Sequence, residues 1–324
     1  MKNKFIKILT IFAMLFTVFS CFNSKKAENK KLEKLTLVLD WVPNTNHTGI
    51  FVAKDLGYFK EEGIDLNIVQ PAEDSSAAIV GSGKAELGIY FQPNLVKRLL
   101  KNTPITAIAA ILQKNTAGLM SLKSLGAKTP KDLQGKRYST WQDPIDDATV
   151  KTIVGDKMEY IPGESTDATA GLVANQYDFI IVYSNWDLIN ARLKKVDVNF
   201  FPLAEYEPIF DYYSPVLIAN NDFLKNKPEL ARKVLKALEK GYRYAIQNPD
   251  KAADILIKNA PEGNKELIKE SQKSIAKYYL NEKGEWGRID IAKWDRFYNW
   301  LYEKKLIDKK LPSSAGVTNE YLGN

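Results

Sequence analysis

Ala78-Ile-Val-Gly-Ser-Gly-Lys-Ala-Glu-Leu-Gly-Ile-Tyr90 and Gly171-Leu-Val-Ala-Asn-Gln-Tyr-Asp-Phe-Ile-Ile-Val-Tyr183 follow one plan. Each reads as the end of a helix, a small or polar turn, an acidic residue, an apolar strand and a terminal Tyr. Around the first copy, strands are expected at 35–40, 66–69, 86–90 and 106–112, with helices at 51–60, 75–80 and 94–100. Around the second, strands fall at 136–140 and 179–183 and helices at 145–154 and 168–174. Alternating β and α units of this length argue parallel sheets covered by helices. A further strand is expected at 216–219. Beyond it Ala231, Val234, Leu235, Leu238, Tyr242 and Ala245 share one helical face. Helices then start at Pro249 and after Asn264, and a last one runs over 291–306. No second sheet can be built from this tail, so it should pack back on the first lobe. The fold class is α/β: two lobes joined by a hinge, with 35–122 plus 217–324 forming lobe 1 and 123–216 forming lobe 2.

The ends of the chain differ from this body. Lys2, Lys4 and Lys7 precede an apolar run to Phe19, and Val18-Phe19-Ser20-Cys21 follows. Residues 1–20 read as a signal peptide. Cys21, the sole cysteine, is expected to carry lipid, and 21–34 to form a polar tether. Net charge is +7, but three Lys lie in 1–20 and five Lys with two Glu in 22–34, which leaves +1 for 35–324. No basic surface of the nucleic-acid-binding kind remains.

In open α/β sheets ligands bind beyond the carboxyl ends of the strands. Those ends carry Asp40, Trp41, Asn44, His47, Tyr90 and Gln92 in the first lobe, and Trp141, Tyr183, Asn185, Trp186 and Asp187 in the second. Aromatic rings on both walls suit a flat heterocycle, and the amides and carboxylates suit its hydrogen-bonding edge. Catalytic chemistry is sparsely supplied. His47 is the only histidine. Gly81-Ser-Gly-Lys84 is followed by Ala85 and lacks the spacing of a phosphate loop. Asp146 and Asp147 read as helix-start acids rather than metal ligands. No cofactor and no metal are expected.

Asp40-Trp-Val-Pro-Asn-Thr-Asn-His-Thr-Gly49, Gly57-Tyr-Phe-Lys-Glu-Glu-Gly-Ile-Asp65, Pro130-Lys-Asp-Leu-Gln-Gly-Lys136 and Asp211-Tyr-Tyr-Ser-Pro215 together resemble the thiamine-pyrimidine family of type II solute-binding proteins, ThiY-type lipoproteins in particular. The resemblance covers nearly all of the chain after the tether. It adds Asn115 and Asp211 to the ligand set. It implies an exported, membrane-anchored monomer that presents formylaminopyrimidine or hydroxymethylpyrimidine to an ABC permease and its ATPase. Thiamine or a flavin stay open as ligands, because Asp187 stands where such proteins tend to carry Glu and Asn185 is an added amide. The hydroxymethylpyrimidine synthases of the same family use a cysteine run and a His; this sequence has Asp211-Tyr-Tyr-Ser-Pro215 and Phe91-Gln-Pro-Asn94 there, so no enzyme is expected.

Overall fold

The computed structural model describes residues 31–71, 75–163 and 167–323. The expected signal peptide, Cys21 and most of the tether lie outside them. Two five-stranded sheets organise the rest. The first contains β1 (Glu33–Val38), β2 (Ile64–Val69), β3 (Leu87–Tyr90), β4 (Ile105–Ala110) and, late in the chain, β10 (Val216–Asn220), in the order β2-β1-β3-β10-β4. The second contains β5 (Ala117–Leu122), β6 (Arg137–Thr140), β7 (Glu159–Pro162), β8 (Phe179–Tyr183) and β9 (Val198–Pro202), in the order β7-β6-β8-β5-β9.

The two sheets repeat each other. β1 pairs in parallel with β2 and β3, as β6 does with β7 and β8. One strand in each runs the other way: β10 between β3 and β4, and β5 between β8 and β9. Both antiparallel strands are the first element after the chain crosses between sheets. The matching acids have matching duties as well. Glu86 Oε2 accepts the Thr36 amide of β1 at 2.8 Å, and Asp178 Oδ2 accepts the Arg137 amide of β6 at 2.8 Å.

The expected lobe boundary at 122 is corrected by this pairing. Ala117 lies opposite Tyr183 and Gly118 opposite Pro202, so β5 belongs wholly to the second sheet. The first crossing therefore lies between Ala110 and Ala117, and the second between Pro202 and Val216. The helix expected over 51–60 is two helices, Thr48–Asp55 and Tyr58–Glu61, because Gly57 takes a left-handed φ of 81° that ends the first.

The long helix Pro228–Gln247 buries the apolar face expected of it and lies against Thr48–Asp55 on the first sheet. The approach is close enough that a Cβ on Gly241 would fall 2.0 Å from the Gly49 carbonyl oxygen. The helices Pro249–Asn259 and Lys265–Ile275 join the same core. A second core runs from the other face of the first sheet, through the crossing residues Phe210, Tyr212 and Tyr213, to Tyr138, Ile145 and Phe179 of the second. The crossings are thus packed segments; Tyr212 meets Phe297 with ring centroids 4.6 Å apart.

Candidate functional site

β1 ends into a loop that is braced from every side. His47 is fully buried, and its Nε2 lies 2.6 Å from Asp40 Oδ1. The Asn44 amide donates to His47 Nδ1 at 3.1 Å, so the ring proton sits on Nε2 and is given to Asp40. Asn44 Oδ1 accepts the Asn46 amide. Tyr242 and Tyr279 donate their hydroxyls to the carbonyls of Asn46 and Thr45 at 2.7 and 2.6 Å. Asp40, Asn44 and His47 therefore spend these polar atoms on one another and on the loop. What they hold outward is Trp41, 49% exposed, and Val42 beside it.

The second sheet builds a similar projection. Trp141 follows β6 and is 47% exposed. Its turn is fixed by Thr140, whose Oγ1 accepts the Gln142 amide at 2.8 Å and donates to Asp147 Oδ1 at 2.5 Å, with Gln142 at a left-handed φ of 59°. Tyr183 closes β8 and is 41% exposed. Its phenol lies near Ser214 of the second crossing. Burial pushes that phenol well above its ordinary value, and the carboxylates of Asp146, Asp40 and Asp187 add to the effect. One tyrosine hydroxyl thus lies within electrostatic reach of carboxylates from both sheets.

These carboxylates differ in what they have left to give. Asp40 is committed to His47. Asp187 accepts the Tyr183 amide at 3.0 Å; burial raises it to about 6 against the pull of that bond. Asp146 has no hydrogen-bond or ion-pair partner among the described residues. Burial raises it to about 7, the neighbouring Asp143 and Asp147 add to this, and Lys97 opposes it. It also bears on the phenols of Tyr138 and Tyr212. Asp146 stands in the first turn of the helix Pro144–Val154, as its place in the sequence suggests. The capping residue is Asp143, whose Oδ1 accepts the Ile145 amide at 2.9 Å. A carboxylate that is desolvated yet unpaired costs free energy that a donor-bearing ligand can recover.

Asn115 and Asp211 lie in the crossings and Gln92 starts the helix after β3, all with polar atoms engaged. Gln92 Oε1 accepts the Tyr213 amide at 2.8 Å and its Nε2 donates to the Trp294 carbonyl at 3.2 Å. Asn115 donates its side-chain amide to the Phe210 carbonyl at 2.8 Å and its backbone amide to Asp211 Oδ1 at 3.0 Å, which ties one crossing to the other. Asp211 Oδ2 pairs with Lys293 at 2.8 Å. Burial lowers the Lys293 ammonium, and Asp211 resists the shift. Tyr90 is buried, tilted on Phe91. Trp186 packs partly buried against the first-sheet core, although it follows β8 of the second. Asn185 is 3% exposed; its carbonyl accepts the Ser271 hydroxyl, and its Oδ1 has no partner. Among the described residues no group of three or more His, Cys, Asp or Glu is arranged to hold a metal.

Two α/β lobes, two packed crossings and exposed aromatic rings at strand ends of both lobes define a two-lobed solute-binding fold. Solved structures share it: the nitrate-binding protein NrtA from Synechocystis PCC 6803 (TM-score 0.69, 12% identity, 90% of this chain and 87% of that one) and the alkanesulfonate-binding protein SsuA from Xanthomonas axonopodis pv. citri (TM-score 0.66, 11% identity, 88% and 98%). The chain belongs to the NMT1/THI5-like family, whose model matches residues 44–252. The formylaminopyrimidine-binding protein of Halalkalibacterium halodurans is 27% identical over 92% of this chain and 93% of its own. The 4-amino-5-hydroxymethyl-2-methylpyrimidine phosphate synthase of Legionella pneumophila is 24% identical over 89% and 92%.

Proposed function

We propose that this chain is the extracytoplasmic binding component of an ABC importer and captures a 4-aminopyrimidine of the thiamine-salvage type between its lobes. The observation that carries this reading is the set of exposed rings Trp41, Trp141 and Tyr183 at strand ends of both lobes, with carboxylates near the Tyr183 phenol of which Asp146 is unpaired. Rings stack on a planar ligand. A carboxylate accepts from an exocyclic amine and favours a protonated ring nitrogen. An anion such as nitrate or a sulfonate would be repelled by the same carboxylates. The similarity to a formylaminopyrimidine-binding protein supports that ligand class. The synthase relatives raise catalysis as the other reading; the absence of the cysteine run and of the second His favours binding without turnover. Calorimetric titration with formylaminopyrimidine and hydroxymethylpyrimidine, followed by mass spectrometry of the recovered ligand, tests both. Saturable binding with unchanged ligand mass is expected. Binding of nitrate or sulfonate in its place would overturn the ligand class, and an altered mass would overturn the non-enzymatic reading.

Anchoring belongs to the same proposal. Cys21 would carry the lipid and the residues between it and β1 would serve as the tether, shorter than expected because β1 starts at Glu33. A Cys21→Ala protein expressed from the full chain should leave the membrane fraction, and continued firm attachment would count against a lipid on that residue.

A further inference from the structure

Among the described residues, two polar clasps join the lobes besides the crossings, and neither involves the exposed rings. On one side Asp143, at the start of the helix Pro144–Val154, accepts Lys97 Nζ at 2.6 Å and Asn94 Nδ2 at 3.1 Å on Oδ2. Both donors stand on the helix Gln92–Leu100, which follows β3 of the first sheet. The other oxygen of Asp143 is occupied by its own helix. On the other side Ser271, on the helix Lys265–Ile275 that packs with the first sheet, donates to the carbonyl of Asn185 beyond β8 of the second. Thr45 Oγ1 lies 2.7 Å from Ser271 Oγ and completes the chain. Trp186 seats itself against the first-sheet core next to that bond.

We infer that the Lys97/Asn94–Asp143 clasp and the Thr45–Ser271–Asn185 clasp are affinity-setting elements that stabilise the closed arrangement of the lobes without touching the ligand. This rests on the reading of the chain as a closing binding protein. Free-energy linkage gives the reason. The apparent dissociation constant is the intrinsic one divided by the fraction of molecules in the binding-competent form, so contacts present only when closed tighten binding from a distance. The clasps suit this role because each joins residues of the two lobes at a place apart from the crossings, so it is made only when those faces meet. The Lys97–Asp143 pair is partly exposed, with Lys97 at 45%, so its contribution should be modest and weakened by salt.

The test uses Lys97→Ala, Asp143→Asn, their combination and Lys97→Arg. Asn caps a helix as well as Asp does, so Asp143→Asn removes the charge and keeps the helix start. Small-angle scattering of the free proteins reads the lobe separation. Stopped-flow and calorimetry with formylaminopyrimidine read the dissociation rate and affinity. Each single substitution is expected to enlarge the free protein and to weaken binding about three- to tenfold, mostly through faster dissociation. The pair should cost little more than either alone, and Lys97→Arg should restore most of the loss. Unchanged dimensions and unchanged affinity in both single variants would overturn the inference, as would fully additive losses. If the wild type binds no pyrimidine, the ligand reading fails, and the scattering comparison still decides the clasp.

Discussion

At pH 8 an Asp146→Asn protein should unfold at a higher temperature than the wild type when free of ligand, yet bind the pyrimidine about ten- to a hundredfold more weakly. The two effects have one cause. Asp146, half-buried, sits at about 7 in the folded chain, from an ordinary value near 3.8, because partial burial disfavours its charge and Asp143 and Asp147 repel it. Between about pH 4 and 7 the folded state therefore holds more protons than the unfolded one, and stability falls as pH rises through that window. Asn carries no charge at any pH and escapes the loss, so the variant should gain about 1–3 kcal/mol above pH 7 and nothing at pH 4. A helix-start acid interacting with the macrodipole would give the opposite sign, with removal costing about 0.3–1 kcal/mol. In the proposed reading the same unpaired carboxylate accepts from the ligand's amine edge, and losing a hydrogen bond to a charged group costs about 1.5–3 kcal/mol. Thermal melts at pH 4.5 and 8, with calorimetric titration at pH 8, measure both. A variant that melts lower at pH 8 and binds as tightly as the wild type would return Asp146 to the role of an ordinary helix-start residue.

The role of Asp146 shows where sequence stops short. Asp143, Asp146 and Asp147 are three acids at the start of one helix and are equivalent to any pattern-based reading. The fold separates them by distant partners: Lys97 and Asn94 take the first, Thr140 takes the third, and nothing takes the second. The same limit applied to Asp40, Asn44, His47, Gln92, Asn115 and Asp211. Their position at strand ends or crossings was legible, because apolar runs stop where Asp, Asn and Pro begin. Their engagement elsewhere was not, since Asp211 meets Lys293 and Gln92 meets Tyr213 and Trp294 only through the folded topology. Among strands, the long alternating or apolar ones were read correctly within one or two residues. β5, β7 and β9 escaped. β5 contains Gly118, which weakens a strand pattern, yet the glycine is required because a Cβ there would meet the Phe200 ring at 2.3 Å. β7 is four residues, three of them exposed, ending in Pro162 at the edge of its sheet, with no apolar run to reveal it.

Trp141→Ala should reduce pyrimidine affinity about thirty- to a hundredfold while leaving the melting temperature of the free protein almost unchanged. A tryptophan that belongs to a core costs about 3–5 kcal/mol of stability when cut to Ala, through lost burial and the cavity left behind. Trp141 is 47% exposed, so little of either penalty applies to the free protein. Its turn is held by Thr140, Asp147 and the backbone of Gln142, none of which needs the indole. The indole's cost is therefore met at binding, when a ligand ring covers it. Burial of the face contributes about 25 cal/mol per Å² and stacking about 0.5–1.5 kcal/mol more, which together reach about 2–3 kcal/mol. Trp141→Phe keeps a smaller ring and should recover most of the loss. Trp186→Ala offers the contrast within one experiment. That ring packs against the first-lobe core rather than standing free, so its removal should open the lobes and lower the melting temperature together. Differential scanning calorimetry and titration of the three proteins separate these outcomes. A Trp141→Ala protein that melts several degrees lower and keeps its affinity would place Trp141 among structural residues and remove it from the wall of the site.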